Sequence, residues 1–276
     1  MRRHCTVEDM SLLADHDHVV CFGKGPEDLD RLVTPFFAAG ARHNDRMLYV
    51  VEDPDHRRLT LTGDLEHLVR TEMLEVADVD AVYAPSLDAD PAAQLGIFED
   101  VLTEALAAGR SGLRVATDCT LLVADISAIE WLRWEHVADA LEAANPMIGV
   151  CYFDHCRVGP DLMADLGVLH PVRPVHAALP PFQFFHDDGA MRVTGNLDYP
   201  SAGQLRRILA ALPTETEIVV DLAEVEFVDR HALMVLDDAG QSGSPVAIRH
   251  AGPTLRRLLS LLCDLGLAMR YLRVEE

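Results

Sequence analysis

Apolar positions in the first part of the chain alternate between short runs and helical spacing. Residues 18–22 form an apolar run, which predicts a buried strand. From residue 27 to Gly40 the apolar positions recur at helical spacing, and two acids in the first turn suit the dipole of a helix. A second apolar run over 46–51 predicts another strand. The order strand, helix, strand implies a parallel crossover.

The same alternation continues along the chain. It predicts helices over 59–71, 91–108 and 128–145, and strands over 79–83, 112–118 and 147–153. An alternation of this length favours an α/β fold with a doubly wound, mostly parallel sheet over a barrel or a helix bundle.

The composition changes where four prolines, Pro171, Pro174, Pro180 and Pro181, fall close together. This density predicts a stiff extended linker, because proline cannot take part in regular elements. We therefore divide the chain into a first domain over 1–175, a linker over 176–181 and a second domain over 182–276.

The second domain is predicted to be a small α/β unit. Two short runs flank the Asp-Asp-Gly turn at 187–189, which predicts a β-hairpin. After it the pattern predicts helices over 200–212, 230–241 and 254–265, and strands over 217–221, 245–249 and 269–274.

The stretch Ile218-Val219-Val220-Asp221-Leu222, followed by Val225-Glu226-Phe227-Val228-Asp229, resembles the STAS family. The element order over 182–276 also fits that family. The resemblance implies an anti-sigma-factor antagonist, which binds an anti-sigma factor or a related kinase-type regulator. In such antagonists the residue after the aspartate is a serine or threonine, and its phosphorylation disrupts docking by charge.

The matching position in this chain is Arg230, and His231 follows it. Arginine has no hydroxyl group, so the covalent switch of the family is absent or differently built. We predict that Asp229, Arg230 and His231 form a partner-docking turn. The alternatives are a helix N-cap for Asp229 and ordinary exposed helix positions for the other two.

The first domain resembles the MEDS domain, the sensory domain of methanogen and methylotroph regulators, including a dichloromethane-responsive repressor. The similarity covers about 10–175. The residues that carry it lie in the strand 18–21, in 36–50, in the helix with Trp131 and Glu135, in Cys151-Tyr152-Phe153-Asp154, and in Leu169-His170-Pro171. It implies a sensor of small, hydrocarbon-like molecules.

The segment 36–52 is also similar to the core of recombinase-type ATPases. Those proteins hold phosphates with a Gly-x-x-x-x-Gly-Lys-Ser/Thr loop. Here Gly23-Lys24-Gly25-Pro26 is followed by two acids, which would repel a phosphate at the helix N-terminus. We expect such a core without a phosphate loop, and no nucleotide as cofactor.

Composition narrows the function further. The net charge of −22 argues against direct binding of nucleic acid, whose phosphates attract basic surfaces. No apolar stretch reaches the length of a membrane span, and the first residues lack the apolar core of a signal peptide. We expect a cytoplasmic protein with no membrane contact.

Candidate metal ligands lack a recognisable pattern. Cys151-x-x-x-His155-Cys156 has no matching second pair, although Cys119, His18 and Cys21 are further donors. A free cysteine in a buried strand usually serves as a small apolar residue. From the sequence we therefore predict no metal and no other cofactor.

Asp118, Trp131 and Glu135 are the candidate ligand pocket, because ligands bind at the carboxyl ends of strands in doubly wound sheets. The pocket would take a small apolar molecule. The alternatives are a loop-capping role for Asp118, a salt bridge for Glu135 and core packing for Trp131. The sequence shows no nucleophile elbow and no zinc-protease helix, so we predict no enzymatic activity and no catalytic residues.

Taken together, these patterns predict a regulatory protein that acts by protein binding through its second domain, with a small ligand in the first domain gating that contact. The alternative is a small-molecule sensor whose STAS module serves for dimerisation or docking, without control of a sigma factor. A homodimer therefore remains an open alternative.

Overall fold

The structure, a computed structural model, describes residues 2–83, 91–213, 217–241, 245–267 and 269–275. Two sheets organise this part of the chain. The strands of the first sheet are β1 (Cys5–Val7), β2 (His18–Gly23), β3 (Arg46–Val51), β4 (Leu74–Asp78), β5 (Leu113–Asp118), β6 (Met147–Asp154) and β7 (Val172–Pro174). They lie in the order β1-β7-β2-β6-β5-β3-β4, and every described pair is parallel. The predicted doubly wound parallel sheet is confirmed.

Helices connect these strands. They are α1 (Gly25–His43), α2 (Pro54–Thr60), α3 (Gly63–Arg70), α4 (Val79–Tyr83), α5 (Pro91–Ala107), α6 (Leu122–Asp125), α7 (Ala128–Ala144) and α8 (Pro160–Leu169). Buried side chains cover both faces of the sheet in two separate apolar clusters. Burial on both faces explains why the strands read as continuous apolar runs.

The second sheet belongs to the C-terminal domain. Its strands are β8 (Phe182–Asp187), β9 (Ala190–Leu197), β10 (Ile218–Val228), β11 (Val246–Arg249) and β12 (Leu272–Val274), and its helices are α9 (Tyr199–Ala210), α10 (Arg230–Gln241) and α11 (Pro253–Asp264). The order is β12-β11-β10-β9-β8. The β8–β9 pair is the predicted antiparallel hairpin, and the other pairs are parallel.

Several elements differ from the sequence prediction. Residues 79–83 form α4 rather than a strand, and the strand lies earlier, at β4, where buried Leu74 and Val76 flank exposed Glu75. The predicted helix 59–71 is two helices, because the chain is extended at Leu61 and Thr62. The proline-rich stretch is not irregular throughout, since β7 pairs with β1 and β2.

Helix α1 passes through Gly40 and ends at His43, where left-handed Asn44 closes it. Close packing against Arg114, and not the end of the helix, explains why this position is a glycine. A Cβ atom at Gly40 would lie 2.7 Å from Cδ of Arg114, which crosses the buried helix surface. Arg114 in turn donates a hydrogen bond to Asp45.

Helix α7 lies between the two domains, and its buried residues cover more than half of its circumference. A capping box of Ser127 and Glu130 starts it. Leu132 belongs to the apolar core of the C-terminal domain, whereas Trp131 and Trp134 belong to that of the first. The remaining face carries the exposed Glu130, Arg133 and Ala144.

Candidate functional site

A small internal cavity lies between α7 and the first sheet. Its volume is about 50 Å³, by a measure in which one water molecule takes about 10–15 Å³. The lining is mostly aromatic and aliphatic, with a few polar groups: Tyr83, Phe98, Val115, Thr117, Cys119, Trp131, Trp134, Glu135, Ala138, Leu141, Glu142, Met147, Gly149, Val150 and Cys151. Such a lining is typical of pockets that bind small apolar ligands.

The three predicted pocket residues are divided between two cavities. Trp131 and Glu135 line the internal cavity. Asp118 lies at the carboxyl end of β5 and lines a separate, polar cavity of about 370 Å³ together with Asp53, Arg57 and other residues. There Asp118 accepts a hydrogen bond from the backbone N–H of Thr120, the loop-capping role that the sequence left as an alternative.

Beside the internal cavity, four ligating side chains meet from four parts of the fold. Their donor atoms, one from each of His18, Glu135, Cys151 and His170, all lie within 4.8 Å of one another. His18 begins β2 and Cys151 lies in the neighbouring β6, on the sheet face that α7 covers. His170 follows the last residue of α8, and Glu135 projects from α7.

Burial dominates the electrostatics of this cluster. The side chains of His18, Glu135 and His170 are almost inaccessible to solvent. Burial raises the pKa of Glu135 to about 8 and lowers the pKa of both histidines, because a charged group loses its hydration there.

Two further carboxylates from α7 lie next to the cluster. Asp139 lies 3.3 Å from Nδ1 of His18, and Glu142 lies 3.7 Å from the same atom. The buried guanidinium of Arg2 donates to Asp139 at 2.7 Å, and despite burial the pKa of Asp139 is lowered by this cation. Glu142 approaches so closely that a Cβ atom at Gly149 would lie 1.8 Å from its Oε1.

On the C-terminal domain, the predicted docking turn lies at the start of α10. The Asp229 carboxylate accepts hydrogen bonds from the backbone N–H groups of His231 at 2.8 Å and Ala232 at 3.1 Å, so it acts as a helix N-cap. Arg230 is exposed to solvent, and the ring of His231 packs against that of Tyr199 at 4.8 Å between centroids.

Large apolar side chains surround this turn. Tyr199 is 70% exposed, Phe227 54% and Met234 42%. Phe227 lies near the end of β10, two residues before Asp229. Met234 lies one helical turn beyond Arg230, on the same face of α10. Exposed aromatic and methionine side chains around a charged residue are common in protein interfaces.

Comparison with known protein families decides what the first domain is. Residues 17–171 match the family model described as MEDS, the methanogen/methylotroph, DcmR sensory domain. The chain belongs to the MEDS family. A second model, described as "Mlab, STAS domain", matches residues 182–263. No curated protein matches the chain.

Both resemblances and their order along the chain are therefore confirmed. A sensory-type MEDS domain joined to a STAS domain makes this a regulatory or sensory protein, and STAS domains indicate interaction with other proteins. In the part of the chain that the structure describes, no helix is long and apolar enough to cross a bilayer.

In the MEDS domain, a carboxylate lies at the start of α1, where a phosphate loop would hold its phosphate. At the start of α1, Asp28 accepts a hydrogen bond from the backbone N–H of Lys24 at 2.8 Å. This amide would face a phosphate in a nucleotide-binding loop. The absence of a bound nucleotide stays a prediction from the sequence.

No pattern in the sequence joins His18, His170 and Glu135. Of the candidate donors from the sequence, His18 lies beside Cys151, with 3.5 Å between Nε2 and Sγ, whereas Cys156 is exposed on the loop after β6. One signal was available. Glu135, Asp139 and Glu142 share one face of α7 at helical spacing, opposite the exposed Arg133.

The MEDS cluster contacts the STAS domain directly. Asp139 accepts a hydrogen bond from the backbone N–H of His186 in β8, and Gln183 of the same strand donates to the backbone oxygens of His170 at 2.9 Å and Pro171 at 3.1 Å. His170 of the cluster and Asp139 beside it are thus hydrogen-bonded directly to the STAS sheet.

Proposed function

We propose that this protein is a cytoplasmic anti-sigma-factor antagonist. Its STAS domain binds an anti-sigma factor or a related kinase-type regulator, and a small apolar ligand in the MEDS cavity gates that contact. The proposal assigns no catalytic step to the chain.

The exposed surface around Arg230 carries this proposal. It combines two exposed aromatic side chains, Tyr199 and Phe227, with the exposed cation of Arg230. Interfaces depend on a few such aromatic and arginine residues. The docking turn of STAS antagonists lies at the same place in the domain, which supports a partner of that kind.

Arg230 also determines how binding would be controlled. In the STAS family phosphorylation at this position adds about two negative charges and breaks docking. A permanent cation here leaves the surface ready for binding. Since Arg230 is exposed, the MEDS domain does not cover it, so control would act through the shape of the STAS domain.

The contacts between the domains support such a route. A ligand that moves α7 would displace Asp139, which holds the backbone of β8 through His186. Strand β8 pairs with β9, and β9 pairs with β10, which leads into the docking turn. The coupling has a physical path from the cavity to Arg230.

Charge reversal tests the docking surface. Purified parent and Arg230→Glu proteins are titrated against the anti-sigma-factor kinases of the host by biolayer interferometry. We expect Arg230→Glu to weaken binding by at least about tenfold, because it imitates the phosphorylated state. Arg230→Ser should keep the affinity of the parent.

Arg257 provides the matched control. It is an exposed arginine on α11, and Arg257→Glu makes the same charge change away from the turn. Equal affinities for the parent and Arg230→Glu would contradict the proposal. A dimer in light scattering that persists in both variants, without kinase binding, would favour the sensor whose STAS module only dimerises.

A further inference from the structure

The cluster at the end of the MEDS cavity has the properties of a metal site. We propose that His18, Glu135, Cys151 and His170 together bind one divalent transition-metal ion, with Zn²⁺ the best match. This inference does not depend on the partner of the STAS domain.

The spacing of the donor atoms fits tetrahedral coordination. With bonds of about 2.0–2.3 Å, the ligand atoms of a tetrahedral zinc site lie about 3.3–3.8 Å apart. In the structure Nε2 of His18 lies 3.4 Å from Oε2 of Glu135 and 3.5 Å from Sγ of Cys151. Nε2 of His170 lies 3.3 Å from the same Glu135 oxygen. These three distances match tetrahedral coordination, and all four donor atoms lie within 4.8 Å of one another.

Both histidines are oriented as metal ligands are. A metal-bound imidazole usually donates its other N–H to a carboxylate or a backbone oxygen. Nδ1 of His170 lies 2.8 Å from the backbone oxygen of Leu166, which fixes the proton there and leaves Nε2 as a free acceptor. Nδ1 of His18 lies 3.3 Å from Asp139 without an ordinary hydrogen-bond geometry, and its Nε2 lies 3.5 Å from Sγ of Cys151, inside the cluster.

Hydrogen bonding within the described residues leaves the central atoms unsatisfied. Neither oxygen of Glu135 meets a donor in ordinary hydrogen-bond geometry, and the same holds for Nε2 of His170. Buried polar atoms are almost always paired, since an unpaired one costs about 1–3 kcal/mol. A cation at the centre would satisfy these atoms at once.

Charge supports the same conclusion. Glu135, Asp139 and Glu142 are buried together, and Arg2 is the cation that pairs with one of them, Asp139. A dication would balance the Glu135 carboxylate and the Cys151 thiolate. Two imidazoles, a thiolate and a carboxylate are donors that zinc accepts, whereas magnesium and calcium prefer oxygen alone.

Four protein ligands make a closed site, which is the form of a structural metal. The ion would join β2, β6, α7 and the end of α8, the elements that enclose the cavity. Cys151 and Glu135 also line that cavity, so the ion would lie at its wall.

Cobalt reports both the ion and its sulfur ligand. The full-length protein, reduced and dialysed against a chelator, is titrated with Co²⁺ and the bound metal is measured by mass spectrometry. We expect one equivalent per chain, intense visible bands of tetrahedral Co²⁺ and a thiolate charge-transfer band in the near ultraviolet. Zn²⁺ should displace the cobalt and remove the bands.

Variants identify the ligands. Cys151→Ser should remove the charge-transfer band and weaken Co²⁺ binding by at least about tenfold, since changes outside the ligand shell alone cost that much. Cys156→Ser is the matched control, because this exposed cysteine lies five residues away, and it should change neither. Circular dichroism shows whether each variant folds.

The X-ray absorption spectrum of the zinc-loaded parent provides a measurement that needs no variant. We expect one sulfur and three nitrogen or oxygen neighbours. Binding of less than a full equivalent, a shell without sulfur, or bands unchanged in folded Cys151→Ser would overturn the proposal. The cluster would then be a network of neutral hydrogen bonds.

Discussion

The carboxylate of Asp139 accepts a hydrogen bond from the backbone N–H of His186 at 2.6 Å, across the boundary between the MEDS and STAS domains. Its other oxygen accepts from the guanidinium of Arg2 at 2.7 Å, and Arg2 also donates to the backbone oxygen of His186. A buried ion pair therefore fastens the first residues of the chain, helix α7 and strand β8 to one another.

We predict that Asp139→Ala strongly destabilises the protein. The substitution leaves the buried Arg2 without its carboxylate, and breaking a buried pair in this way costs about 3–5 kcal/mol. Equilibrium unfolding in urea measures the loss. Asp55→Ala removes an exposed ion pair with Arg58 and should change the free energy of unfolding by less than about 1 kcal/mol. Equal changes in the free energy of unfolding for the two substitutions would show that burial does not determine how much an ion pair contributes to stability.

Gly149→Ala should also destabilise the protein. The added methyl group would collide with the buried carboxylate of Glu142, which would have to leave its place beside His18, and such overpacking costs about 1–3 kcal/mol. Gly167→Ala is the matched control, because this glycine lies within α8 with open space around its Cβ position. In a helix, alanine is favoured over glycine by about 1 kcal/mol. Thermal unfolding should move in opposite directions for the two variants, and a shift of the same sign would contradict this account.

The N-cap of α10 leads to a pH-dependent prediction. Although partial burial acts in the opposite direction, hydrogen bonds from Ala232 and His231 lower the pKa of Asp229. Its contribution to stability is therefore fully present above the unfolded pKa of about 3.9 and is lost as the pH falls through the folded value. At pH 7 we expect Asp229→Ala to cost about 1 kcal/mol and Asp229→Asn much less, since asparagine also caps helices.

Urea unfolding of these variants at pH 7 and pH 3 provides the measurement. The difference between the parent and Asp229→Asn should shrink at the lower pH. A constant difference would show that the charge of Asp229 is not involved.

The internal cavity should bind small apolar molecules, and the two tryptophans of the chain report it directly. Trp131 and Trp134 both line the cavity, so we expect dichloromethane, used as a probe, to change the intrinsic fluorescence in a saturable way. Ala138→Val fills part of the cavity and should weaken the response. Ala144→Val adds the same group at an exposed position of the same helix and should leave it unchanged. A linear, non-saturable response in all three proteins would indicate a solvent effect.

The sequence was sufficient for the architecture and insufficient for the site. Buried parallel strands such as β2 and β6 are visible as apolar runs, and the hairpin is visible from its turn at Gly189. The short edge strand β4 was misplaced because only Leu74 and Val76 are buried, too few to show a period. The preferences of single residues for strand or helix do not show that β4 ends at Asp78 and that α4 begins at Val79.

The cluster required knowledge of tertiary contacts. His18 and His170 are far apart in sequence, and β7 and β2 bring them together only when the sheet forms. Glu135 was a candidate from the sequence and lines the internal cavity, but its histidine neighbours could not be found from the sequence. Asp118 lies at the carboxyl end of a strand, where ligands commonly bind in such sheets. In the structure, however, it lines the polar cavity and not the internal one.

The apolar core of the STAS domain contains residues of the MEDS domain. Leu132, Val168 and Leu169 belong to it, although they come before the proline-rich stretch in the sequence. A hinge rotation at that stretch would have to pull these side chains out of the core, which packed interiors resist. Signals between the two domains are therefore expected to travel as small sliding displacements of α7 and α8 against β8, with the interface kept closed throughout.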